Sequence, residues 1–176
     1  ALSVQGELRG WAGDAAAAEK LLAEALALDP KDDYTRGALA DLLLDAGRTA
    51  EVVKLVSEHQ TNDALLLRLC LAAQPAACDA LTERVAATRQ RGDTVHRREE
   101  ARFALQVEKD TAKALALAIA NFGVQKEPAD VRILLEAAVG AKQPAAAAPA
   151  VEWMQKTGFE WPVARALVKQ LEGLPR

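Results

Sequence analysis

The chain has 176 residues, 51% of them hydrophobic and 4% aromatic, with a formal net charge of -3. That length and apolar content support a packed core and exclude a disordered chain. The slight acidic excess excludes a surface built to grip nucleic-acid phosphates, and no run of about eighteen apolar residues is present to span a membrane.

The abundance of Ala and Leu favours helix throughout. The opening residues Ala1-Leu2-Ser3-Val4-Gln5-Gly6 lack the charged start and apolar stretch of a signal peptide. They read as the inside of a helix, and a fragment or a mature form is expected. After the break at Gly13-Asp14, Ala18, Leu21, Leu22, Ala25, Leu26 and Leu28 recur on one helix face, with Glu19, Lys20 and Glu24 on the other. Asp29-Pro30 ends this helix, because a residue before proline is pushed out of the α region. Lys31-Asp32-Asp33 then offers N-cap residues for the next.

The cycle returns. Tyr34 to Ala46 is predicted helical, Gly47-Arg48 takes the place of Gly13-Asp14, and Thr49 to His59 forms a second helix with Val52, Val53, Leu55 and Val56 inward. Gly13 and Gly47 are 34 residues apart, the period of a two-helix repeat. Later hairpins are looser: Asp63–Ala73 with Ala76–Arg91, Val95–Glu108 with Thr111–Gln125, and Asp130–Ala141 with Ala145–Lys156. Trp161 to Leu171 reads as a terminal helix, and Gly173-Leu174-Pro175-Arg176 is expected to fray. No segment alternates in polarity long enough to predict a strand.

These features resemble the tetratricopeptide-repeat family in its bacterial form, clearly over residues 1–60 and more faintly afterwards. In the first unit the family's small positions fit Gly6 and Ala18, its turn fits Gly13-Asp14, its second-helix positions fit Leu22 and Ala25, and its closing proline fits Pro30. In the second unit Leu39, Ala40, Leu43, Gly47, Val52 and Val56 fill the matching places. The family's early aromatic is absent, with Leu2 and Arg36 in its place. The resemblance implies one all-α domain over 1–176, a right-handed α-α superhelix of about five hairpins. Residues 61–160 would hold the divergent repeats and 161–172 a capping helix.

The resemblance implies a non-enzymatic module that holds a protein or peptide partner in a concave groove lined by the first helix of each unit. Here those candidates are Tyr34, Asp41, Asp45, Leu65, Leu69, His96, Glu99 and Phe103, with the leucines equally suited to the core. The subclass that grips a peptide's C-terminal carboxylate uses Lys and Asn on this face. Ser3, Glu7, Gly37 and Asp41 stand at those positions, and their acidity argues against that mode. The alternative is a structural or oligomerisation scaffold within a larger envelope-associated assembly.

Cys70 and Cys78 flank a predicted hairpin turn, where antiparallel helices can bring them within disulfide range. They fit equally well as two small buried hydrophobes. A bridge would suit a periplasmic or envelope setting over the cytoplasm. No metal site is expected: His59 and His96 belong to different hairpins and follow no zinc-finger spacing with the cysteines. Arg97 to Arg102 is the densest charge cluster, a solvated face or an anchor for an acidic segment. Trp153 and Trp161 suit a cap on the last hairpin or an interface hot spot. No phosphate loop, nucleophile elbow or zinc-protease motif occurs, so neither catalysis nor a cofactor is expected.

Overall fold

The computed structural model describes residues 2–92 and 97–174. Eleven α-helices and no strand occur among the described residues. The chain forms two compact units, Ala1–Arg91 and Gly92–Arg176.

Unit 1 holds three hairpins: α1 (Leu2–Trp11) with α2 (Ala15–Leu28), α3 (Asp33–Asp45) with α4 (Thr49–Val56), and α5 (Asp63–Leu71) with α6 (Pro75–Gln90). Short polar side chains start several of these helices by accepting backbone N–H groups that a first turn leaves without partners. Asp14 accepts from Ala17, Asp32 from Thr35, and Asn62 from Ala64. Pro75 opens α6, where its missing N–H costs nothing. Within this unit each first helix packs on its own second helix, and α3 packs on both α1 and α5. The core between them includes Ala18, Leu22, Leu39, Ala40, Leu43, Val52, Val56 and Leu65. Gly6 is required at the α1–α2 crossing, since a Cβ there would lie 2.8 Å from Leu22 Cγ.

Unit 2 holds α7 (Arg97–Phe103), which continues as a π-helical turn over Ala104–Glu108, then α8 (Thr111–Phe122), α9 (Pro128–Gly140), α10 (Ala148–Thr157) and α11 (Pro162–Glu172). α9 is central, packing on α7, α8, α10 and α11. Its Val131, Leu134, Leu135, Ala137 and Ala138 have no exposure.

The predicted helices all occur among the described residues, with boundaries corrected by local chemistry. Ala145–Lys156 is not one α-helix: Pro144–Ala147 is a 3-10 turn, and α10 starts after it. Pro149 has no amide hydrogen to donate to Ala145, so the α pattern cannot run back through it. Trp161 precedes Pro162 and is extended rather than helical. α4 stops at Val56 instead of reaching His59. Asp93 to His96, and with them the predicted start of α7, lie outside the described residues, as do Pro175 and Arg176.

Candidate functional site

The face of the first helices in unit 1 is built from α1 and α3, joined by side-chain bonds. The Ser3 and Thr35 hydroxyls lie 2.7 Å apart, and the Tyr34 hydroxyl donates to Glu7 Oε1 at 2.7 Å. The next step, from α3 to α5, is bridged by Arg68, whose guanidinium donates to Asp41 Oδ2 at 2.6 Å. Asn62 adds a bond to Asp33 at 3.0 Å. Gly37 lies beside this crossing, where a Cβ would make ordinary contact with Arg68 Nε at 3.7 Å.

On this scaffold several apolar side chains face solvent. Tyr34 is 64% exposed, Val4 56% and Leu8 55%. Val4 and Leu8 are one turn apart on α1, and Leu8 joins Gln5, Arg9 and Leu21 around a surface hollow. Sequence alone does not mark this pair as solvent-facing, because an apolar i, i+4 pair is equally the pattern of a core face.

The expected partner-binding residues divide. Tyr34, Asp41 and Asp45 share α3, with Asp41 half-buried and Asp45 exposed. Glu99 is on α7 in unit 2, half-buried beside Arg98 at 3.5 Å. Leu65, Leu69 and Phe103 are buried, at 1%, 4% and 1% exposure. On α5 apolar side chains occupy nearly every position, so the helix is buried all round instead of presenting one face. His96 lies outside the described residues.

The other polar clusters hold the fold. Arg48 lies between two carboxylates, donating to both oxygens of Glu19 and both of Glu51 at 2.6–2.9 Å. That arrangement raises the arginine's pKa and lowers that of Glu51. In unit 2 the fully buried Asp130 accepts from Asn121 and from the Glu127 backbone at 2.8 Å each, and from Arg98 at 3.3 Å. Arg98, from the charge cluster, also donates to Glu127 at 2.8 Å. With side-chain bonds from Arg98 and Gln125, Glu127 is held below the usual carboxylate range. This network caps α9, and its carboxylates are engaged by these donors. Among the described residues no three His, Cys, Asp or Glu side chains are grouped to hold a metal ion.

Cys70 and Cys78 are joined across the α5–α6 turn, with Cα atoms 4.7 Å apart. Trp161 is 9% exposed, with Phe159 against it at 6.3 Å and the Arg132 guanidinium 5.7 Å from its ring centre. No described helix is long and apolar enough to cross a membrane.

Residues 12–69 match the family model described as tetratricopeptide repeat. The matched segment runs from the α1–α2 turn into α5, and the described residues on either side of it are also helical. Among curated proteins and among solved structures nothing matches the chain. Tetratricopeptide repeats generally mediate protein–protein interaction and are typically not enzymes.

Proposed function

With tetratricopeptide repeats over residues 12–69 as the premise, we propose that unit 1 binds a protein segment on the α1–α3 face, as an extended peptide or a partner helix, without catalysis. The observation that carries this reading is Tyr34, largely exposed yet tied through its hydroxyl to Glu7 on the neighbouring helix. A ring fixed before binding loses little conformational freedom when a partner covers it. Val4 and Leu8 are exposed apolar side chains on α1, the helix that holds Glu7. Glu7 and Asp45 make the surroundings acidic, which disfavours a partner's terminal carboxylate. Asp41 is engaged by Arg68 and serves to hold α3 against α5.

The test is a peptide-display selection on the immobilised chain, followed by affinity measurement with three variants. Tyr34→Ala and Val4→Asp are expected to weaken binding about tenfold or more. Leu28→Ala removes a side chain 76% exposed at the end of a second helix, and is expected to leave affinity unchanged. Equal affinities across all three would remove this face from the function. The alternative, a self-assembling scaffold, is separated by mass measurement over a range of concentrations: growth in mass without peptide binding would favour it.

A further inference from the structure

The third hairpin differs from the first two at its closest contact. In the first hairpin α1 and α2 touch through Gly6 and Ala18, a Cβ on Gly6 falling 3.3 Å from the Ala18 carbonyl oxygen. In the second, Ala40 stands eight residues after the N-cap Asp32, and Val52 is the fourth residue of α4; neither has any exposure. Cys70 likewise stands eight residues after the N-cap Asn62, and Cys78 is the fourth residue of α6, as Ala18 is of α2. The turn has shortened, leaving a separation of 8 between them, and the packed pair has become a covalent one.

α6 is poorly held by anything else. It has 16 residues, yet only Ala77 and Leu81 are buried, whereas the 14 residues of α2 bury Ala18, Leu22 and Ala25. Its chief packing partner is α5. Arg84 adds bonds to the Gln60 carbonyl and the Asp63 carboxylate, both at 2.8 Å and both exposed, where such pairs contribute little. α5 has the opposite character, buried from Leu65 through Cys70.

We propose that the Cys70–Cys78 bond is a redox latch: a dithiol reductant opens it, and α6 undocks from α5 while α1–α4 keep their structure. Cys70 is 5% exposed and Cys78 half-exposed, so the reductant's thiolate attacks the Cys78 sulfur and Cys70 leaves as a thiolate that takes up a proton. The reductant's second thiolate then displaces Cys78, which is protonated in turn. Two electrons pass to the protein, leaving two thiols, and the reductant departs as its own disulfide.

The chain purified without reductant should show no free thiols on titration in denaturant, and two after dithiothreitol. Hydrogen–deuterium exchange read by mass spectrometry should then show α6 peptides exchanging about tenfold or more faster after reduction, with α1–α4 changed less than about twofold. The double variant Cys70→Ala/Cys78→Ala places at each site the residue found at Ala40 and Ala18. It should exchange fast in α6 without reductant and respond to reductant no further. Two free thiols before reduction would overturn the latch. So would unchanged α6 exchange on reduction of the native chain, or acceleration spread evenly over α1–α5. The reduced native chain decides the matter even where the double variant fails to fold.

Discussion

Arg36 stands where the repeat pattern favours an aromatic, yet it is 9% exposed and does an aromatic's work by other means. Its guanidinium donates to the Pro30 carbonyl and to the Leu55 carbonyl, the latter at 3.2 Å, tying the α2–α3 turn to α4. Arg36→Ala would leave both carbonyls without that donor and open space beneath α3. A loss of about 2–3 kcal/mol is expected from urea unfolding followed by circular dichroism. Besides Glu51, two other carboxylates shape the acid limb of stability. Asp32 is held below the usual carboxylate range by the Thr35 hydroxyl and then the Thr35 N–H, and Glu127 by Arg98 and then Gln125. Both folded-state pKa values are depressed, so on acidification the unfolded chain takes up protons first. Their contribution is therefore complete above the unfolded values of about 4 and lost as pH falls through the folded ones. Urea midpoints measured from pH 6 down to pH 3 should fall, roughly in step with protonation of these carboxylates. They should fall less steeply in Asp32→Asn, which keeps a capping oxygen but cannot titrate.

At the scale of the element, the hairpin turns explain where the repeat was readable. The first two place a glycine in the left-handed region, Gly13 at φ 89° and Gly47 at φ 71°. The residue after each donates five residues back, Asp14 to the Arg9 carbonyl and Arg48 to Leu43. The chain leaving α9 makes the same turn with Lys142 at φ 55°, and Gln143 donates to Ala138. Ala73 and Lys109 are also left-handed, at φ 62° and φ 59°. The geometry persists while the glycine that betrays it is gone, which is why the pattern faded after Asp63 although the helices continued. The π turn at Ala104–Glu108 and the 3-10 turn at Pro144–Ala147 were hidden for a related reason, being local departures inside stretches that keep helical composition. Left-handed residues with a Cβ carry strain of roughly 1–2 kcal/mol, partly offset by the greater freedom glycine would have when unfolded. Lys142→Gly is therefore expected to stabilise by up to about 1 kcal/mol, read as a higher urea midpoint. Gly47→Ala is expected to destabilise by roughly 1 kcal/mol, because nothing near it would repay the strain.

For the molecule as a whole, the question is which leucines hold the repeats together and which residues meet a partner. Sequence placed both kinds on the first helices, because a repeat's first helix carries an apolar face and an open one at the same spacing. An exposed side could be read on α3, where Tyr34 is followed along the helix by the polar Asp41 and Asp45. It could not be read on α5, where leucines on all sides leave no periodic difference between core and surface. Burial separates the two side chains within one unit, Leu65 at 1% exposure and Tyr34, the residue proposed to meet a partner, at 64%. Within unit 1 the hairpins lean on one another, so truncating a core residue there weakens the stack that presents the face without altering the face itself. Leu65→Ala is expected to cost about 2–5 kcal/mol of stability. Measured in excess stabilising osmolyte, where the variant is fully folded, it should bind a selected peptide with unchanged affinity. Tyr34→Ala should show the reverse, a stability change below about 1 kcal/mol with affinity lowered about tenfold. A Leu65→Ala chain that is folded yet fails to bind would place the contact on α5 instead, and would return that leucine from the core to the partner.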